Sequence, residues 1–454
     1  MSSATPDKIP TPSGFFRRHW HRPRWAAQRK PVRVEPGKRR SLLSILGPGL
    51  ITGAADDDPS GIATYSQAGA QFGYSTGWVM LFTWPLMVAI QEISARIGRV
   101  TGKGIAANLR EHYSPWLLYG IVALLVIANF INLGADLGAM ADALRLLIGG
   151  PSGLYVILFA AFCAVLEIFS NYNSYVKILK WLTLALFAYV AAAFGVKIPW
   201  GTVAHDTFIP SITWSTDYLV LIVAILGTTI SPYLFFWQAS EEAEDERIDP
   251  LTHLLTEAPR EARGELRRIR IDTCVGMGFS NIIALFIIIT TAATLHANNI
   301  TDVQTSEQAA QALRPIAGEF AYVIFALGIL GTGLLAVPVL AGSAAYALAE
   351  AMQWNSGLDR QPLDAKRFYA TIVGGTLIGI GINFVHIDPI KALFWTAVIN
   401  GVVAVPLMIM MMVMTMQPKV MGRFTLPRPL WAVGWLSTAV MTVTVIAMFV
   451  TWGS

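Results

Sequence analysis

Charge is scarce in this chain. Only 14% of its 454 residues are Asp, Glu, Lys or Arg, against about a quarter in an ordinary soluble protein. Cysteine is scarcer still. Cys163 and Cys274 both sit inside apolar runs without the paired spacing of a redox or zinc motif, which argues against a disulfide framework and a cysteine-based zinc centre. No P-loop, HExxH pattern or nucleophile elbow occurs, so ATP-driven and hydrolytic functions lack their machinery. The N-terminal stretch also lacks the apolar core of a cleaved signal peptide.

Apolar sequence is what remains. The chain is 54% hydrophobic with a mean hydropathy of +0.53. After Ser41, apolar segments of about 20 residues recur, each long enough for a hydrocarbon core of about 30 Å. Eleven spans are predicted, at about 44–72, 76–98, 117–148, 153–170, 174–196, 217–240, 271–296, 319–351, 368–384, 390–416 and 429–452. Such a chain must satisfy its backbone inside helices, so the predicted fold class is an all-α integral membrane protein.

The basic residues give the orientation. The tail 1–40, the loops carrying Arg96 to Arg110, Lys177 and Lys180, Arg247 to Arg270, and the later turns at Arg360–Arg367 and Lys419–Arg428 together hold 29 of the 33 Lys and Arg. Placing these on one side predicts a cytoplasmic N-terminus and an outside C-terminus in a cell (plasma or inner) membrane. The tail itself reads as a disordered basic segment touching anionic lipid, not as a nucleic-acid patch. Residues 41–454 form the expected membrane domain.

Against this background one stretch stands out: GAADDDPSGIATYSQAGAQFGY, Gly53 to Tyr74. Pro59 has no N–H and disfavours helix at Asp58, so span one is predicted to be two half-helices with an unwound stretch between them. Span six repeats the interruption in AILGTTISPYLFFWQASEE, with Gly227, Ser231 and Pro232. The two breaks are five spans apart, an odd number, so spans one to five and six to ten cross in opposite senses. Paired breaks in inverted halves point to a midplane binding site in a secondary transporter. The competing reading, a surface turn with solvated aspartates, needs segments too short to cross and spoils the charge asymmetry.

These residues resemble the Nramp divalent-metal transporters. GPGLITGAADDDPSGIATYSQAGAQFGY with QEISARIGRVTGKG is similar to the family's first two helices; GADLGAMADAL, GTTISPYLFF, RIDT and ALGILGTGLLAVPVLAGSAA extend the likeness. The resemblance implies a LeuT-like five-plus-five inverted repeat, at about 44–196 and 217–416 with an extra helix at 429–452, working by alternating access.

The departures from that family concern the metal. Its helix-one DPGN reads Asp58-Pro59-Ser60-Gly61 here, so the asparagine ligand falls on Gly61. Its helix-six MPH reads Ser231-Pro232-Tyr233, so the methionine becomes Ser231 and the histidine Tyr233; a second histidine falls on Gln238. The remaining candidate ligands are oxygens: Asp58, the carbonyls of Ala55 and Thr228, Ser231 Oγ and water, with Asp56 and Asp57 adding negative potential. Losing a thioether disfavours soft ions, and a partly hydrated all-oxygen site suits Mg²⁺, with Mn²⁺ tolerated. The resemblance is therefore strongest to the family's magnesium-transporting branch.

The family's helix-three glutamate falls on Ala139, leaving Asp136, so the proton route has lost groups that titrate near neutrality. Glu92 and Glu167 are substitutes or structural partners. Uncoupled flux is the favoured mechanism, since 100 mV inside-negative drives a dication by about 4.6 kcal/mol. Asn400 in span ten is a further candidate ligand or an interhelical hydrogen bond. Methionines at 408–416 cover all faces of a helix end and read as packing, and His296 and His386 stand alone. The charged segment 241–270 reads as a solvated helical loop. Alternatives are a proton-coupled Mn²⁺/Fe²⁺ symporter, an amino-acid carrier on the same fold, whose substrate carboxylate the aspartates would repel, and a sensor that binds without moving a cation. No enzyme activity, resident cofactor or nucleic-acid partner is expected; the partners are the cation and the bilayer, and a monomer suffices.

Overall fold

Each long apolar run becomes a helix, because a helix keeps every backbone hydrogen bond within its own segment. The computed structural model describes residues 48–169, 186–248, 254–256, 258–358, 360–385 and 388–452, and all regular structure among them is helical. The basic tail, Lys177, Lys180, His386 and most of the expected span 174–196 lie outside the described residues.

Span one is two helices, α1 (Pro48–Asp56) and α2 (Pro59–Phe72). They are followed by α3 (Gly77–Thr101), the short α4 (Ile105–His112), α5 (Pro115–Ile148), α6 (Ser152–Phe169), α7 (Phe187–Gly195) and α8 (Trp200–Phe208). Span six is likewise divided, into α9 (Thr216–Thr229) and α10 (Pro232–Ile248). The remaining long helices are α11 (Ala262–Thr294), α12 (Ala321–Met352), α13 (Lys366–Ile382), α14 (Pro389–Thr415) and α15 (Arg428–Thr451). Among the described residues, nine helical stretches are long and apolar enough to cross a membrane, and the one from Pro59 to Thr101 joins the second half of expected span one to span two.

The broken helices lie at the centre. Both α1 and α2 pack along α11, α9 packs along α14, and α5 packs along α12. From Tyr218 to Thr229 every residue of α9 is buried. Outer helices instead show large apolar side chains, such as Leu158 and Phe162 on α6 and Val443 and Phe449 on α15, the pattern of a surface facing lipid.

Near the breaks, two of the helix crossings bring backbones into direct contact. A Cβ on Gly53 of α1 would lie 2.3 Å from the Gly276 carbonyl carbon of α11, and one on Gly227 of α9 would lie 2.0 Å from the Ala397 carbonyl oxygen of α14. Small residues at a helix crossing permit such approach.

The segment 241–270 departs from expectation. Much of its charge continues the helices themselves, since α10 runs on to Ile248 and α11 starts at Ala262, ahead of the expected 271. Nor is it simply solvated. Glu242 is fully buried and pairs with Arg268 at 2.6 Å, while Arg99 of α3 lies 3.3 Å from Glu246. Glu92 accepts from Arg96 at 2.7 Å and from Arg270 at 3.2 Å, so it is a structural partner locking α3 to α11. Buried ions need such pairing, which the one-dimensional charge pattern does not reveal.

Candidate functional site

The first break follows from its proline. Pro59 takes the first position of α2, where a missing N–H costs nothing, and Asp58 becomes the N-cap in extended geometry (φ −64°, ψ 171°). Asp58 Oδ1 accepts from the Gly61 amide at 2.8 Å and from Ser60 Oγ at 2.5 Å. The other oxygen faces two different helices. Asn132 of α5 donates its Nδ2 to Asp58 Oδ2 at 3.2 Å, and the Tyr233 hydroxyl of α10 lies 3.2 Å from the same atom. That hydroxyl is also 2.9 Å from the Ala55 carbonyl oxygen, and its one proton serves one acceptor at a time.

The three consecutive carboxyl groups do not converge. Asp56 and Asp57 turn to α11, where Ser280 Oγ lies 2.6 Å from Asp56 Oδ2 and 3.0 Å from Asp57 Oδ1. All three aspartates are buried, at 3% exposure or less. Among the described residues, no basic side chain pairs with any of them, and Asp56 Oδ1 has no hydrogen-bond partner. The Gly61 position, without a side chain, contributes an N–H to Asp58.

The second break is built differently. It falls at Ile230 and Ser231, with Pro232 opening α10. Ser231 Oγ lies 2.7 Å from both the Gly227 and Thr228 carbonyl oxygens, so this hydroxyl closes back on its own chain. Thr228 Oγ1 meets the Tyr65 hydroxyl of α2 at 2.7 Å, tying the two breaks together. Asn400 of α14 is buried next to the Gly227 crossing, and its Nδ2 has no partner among the described residues.

The face of α5 toward the breaks is polar. Asn129, Asn132 and Asp136 follow one another at helical spacing and are all fully buried. Asn129 donates to Leu340 O at 3.1 Å and Ser343 Oγ at 2.7 Å, anchoring α5 to α12. Neither oxygen of Asp136 has a hydrogen-bond partner among the described residues. A buried, unpartnered carboxyl beside the break is costly unless a cation or proton compensates it. Glu167 of α6 is also buried, with Oε1 unpartnered.

Where the resemblance points to a second histidine, Gln238 forms a neutral crosslink. Gln91 Nε2 donates to Gln238 Oε1 at 2.5 Å and Gln238 Nε2 to Thr273 Oγ1 at 3.2 Å, joining α3, α10 and α11. His296, on the far side, contacts the Ala70 carbonyl oxygen through Nδ1 at 2.8 Å, which leaves it structural.

Asn132, Tyr65 and Ser280 were not singled out from the sequence. A signal existed for Asn132, because Asn129, Asn132 and Asp136 share one face of an apolar helix. Nothing local marks Tyr65 or Ser280.

Comparison with known proteins accords with this geometry. The family model described as natural resistance-associated macrophage protein-like, Nramp, matches residues 49–451. A curated protein named divalent metal cation transporter MntH, from Caldanaerobacter subterraneus, is 28% identical over 402 residues, covering 85% of this chain and 87% of its own. The fold is similar to a crystal structure of the Eremococcus coleocola manganese transporter in complex with an aromatic bis-isothiourea substituted compound, with a TM-score of 0.75 at 19% identity over 91% of this chain and 88% of the other. It is also similar to Mhp1, a nucleobase-cation-symport-1 family transporter, with a TM-score of 0.54 at 14% identity over 89% and 92%.

Proposed function

The chain belongs to the Nramp family, as a multi-pass membrane transporter of divalent metal cations on a LeuT-like helical fold, and from that premise we propose that its cargo is Mg²⁺, with Mn²⁺ tolerated. The observation that carries this reading is the company Asp58 keeps. Its partners are hydroxyl and amide groups, with neither thioether nor imidazole among them, and Ser231 stands where the family places a methionine. Oxygen donors around one carboxylate suit a hard ion that keeps some of its water. Asp58 is the central ligand, with the Ala55 and Thr228 carbonyls from the two breaks and Asn400 from α14, while Ser231 Oγ stays bonded to its own chain. Asp56 and Asp57 act through charge from the α11 side, and Gly61 gives its N–H to Asp58 where the family has an asparagine side chain.

Transport runs down the electrochemical gradient by alternating access, without proton coupling. Gln238 and Tyr233 place neutral side chains where the family has histidines, and Glu92 is engaged in ion pairs. The proton-coupled Mn²⁺/Fe²⁺ alternative rests on one observation, the unpartnered Asp136. On this reading the two inverted halves are about 44–196 and 217–416 in the cell membrane, and the positive-inside distribution supports a cytoplasmic N-terminus.

Purified protein in proteoliposomes, with Mg²⁺ and Mn²⁺ influx read beside an internal pH dye, tests both parts. The expected result is Mg²⁺ entry with a flat internal pH, abolished by Asp58→Ala. Entry of Mn²⁺ or Fe²⁺ alone, with protons following, establishes the coupled reading instead.

A further inference from the structure

Asp58 Oδ2 shares its surroundings with an amide that is only half used. Asn132 is fully buried on α5; its Nδ2 donates to Asp58 Oδ2 at 3.2 Å, while its Oδ1 has no hydrogen-bond partner among the described residues. A buried amide oxygen without a donor costs about 1–3 kcal/mol, so its placement beside a carboxylate calls for a reason. Leucine or alanine would fill the same space without that cost.

The spacing supplies one. Magnesium–oxygen bonds of about 2.0–2.1 Å put neighbouring ligands of an octahedron about 2.9–3.0 Å apart. A hydrogen bond has nearly the same heavy-atom separation. Turning the Asn132 amide end over end exchanges its N and O and places Oδ1 about 3.2 Å from Asp58 Oδ2, a few tenths of an ångström longer than that edge. The Tyr233 hydroxyl lies 3.2 Å from the same oxygen and 2.9 Å from the Ala55 carbonyl oxygen. A cation can therefore replace the protons that now hold this cluster together with little movement of the heavy atoms.

We propose that the Asn132 side-chain oxygen is a ligand of the transported cation, delivered from α5 by an amide turn that also withdraws the N–H now capping Asp58. The empty site then holds Asp58 through the nitrogen, and the loaded site holds the cation through the oxygen. The proposal rests on Asp58 being the cation site, and the test separates the two.

Mg²⁺ and Cd²⁺ binding to the purified full-length protein is measured by titration calorimetry for wild type, Asn132→Leu, Asn132→Asp, Asn132→Met and Asp58→Ala. Asn132→Leu is expected to weaken Mg²⁺ by about tenfold or more, equal to about 1.4 kcal/mol. Asn132→Asp retains Mg²⁺ binding, because a carboxylate can ligate although it has no N–H to give Asp58. In Asn132→Met the Cd²⁺-to-Mg²⁺ affinity ratio rises, a readout within one protein that a general loss of stability does not move. Mg²⁺ binding within twofold of wild type in Asn132→Leu overturns the proposal. So does loss of binding in Asn132→Asp with an unchanged ion ratio in Asn132→Met, since Asn132 then only positions Asp58. Wild-type binding in Asp58→Ala removes the underlying site, whatever the Asn132 variants do.

Discussion

The two interrupted helices differ in where their loose ends are tied. At the first break, Asp56, Asp57 and Asp58 are held by groups from α5, α10 and α11: Asn132, Tyr233 and Ser280. At the second, Ser231 turns back onto the Gly227 and Thr228 carbonyls of its own chain, and Thr228 Oγ1 meets the Tyr65 hydroxyl of α2. The first break is charged and braced from outside; the second is neutral and closes on itself. On the proposed reading, charge for the cation comes from the first break, while the second supplies shape and backbone dipoles.

The sharpest way to break the comparison is to remove the charge. Asp58→Ala is expected to reduce cation uptake into proteoliposomes by about 100-fold or more, the scale of losing one member of a buried charge pair. Equal loss in Ser231→Ala would erase the distinction between the breaks. Next in size is the packing under each break. Gly53→Val and Gly227→Val should each cost about 1–3 kcal/mol or more by overpacking, read as a lowered thermal midpoint in detergent. A tolerant Gly227 with an intolerant Gly53 would show that only the charged break depends on close backbone contact. Tyr233→Phe removes a hydroxyl shared by Asp58 and Ala55, and should shift Mg²⁺ half-saturation about fivefold, near 1 kcal/mol. Smallest is Ser231→Ala, expected within about twofold because the lost hydroxyl bonds only its own helix. An effect there as large as that of Tyr233→Phe would mean that Ser231 leaves its helix to meet the ion.

What could be read in advance follows the range of the forces involved. Pro59 and Pro232 act on their immediate neighbours, so both breaks are visible in the chain. The ends of α5, α12, α14 and α15 fall within a few residues of the expected spans, because hydrophobic length is a local property. The fate of Asp56 and Asp57 was not legible, since it depends on Ser280, which is more than two hundred residues away. The segment 241–270 misled for a related reason. Mixed charge looks solvated in one dimension, whereas Glu242 and Arg268 satisfy each other inside the bundle. Asn132 was the near miss: its helical face was readable, but its pairing with Asp58 across two helices was not.

The glycine crossings have a mechanical consequence. Where Gly53 rides on Gly276 and Gly227 on Ala397 and Gly401, bare backbones touch and no side chain stands as a tooth between them. Interlocked side chains must change rotamer before helices can slide, which makes ordinary packing behave like a ratchet. A crossing without teeth behaves like a plain bearing, and what limits the turning of α1 on α11 is the set of hydrogen bonds on either side of it, from the Gly49 amide to Asp272 and from Ser280 to Asp56 and Asp57. Each half of the molecule has such a bearing close to its break, so the cation's surroundings can tilt while the outer helices keep their grip on the bilayer.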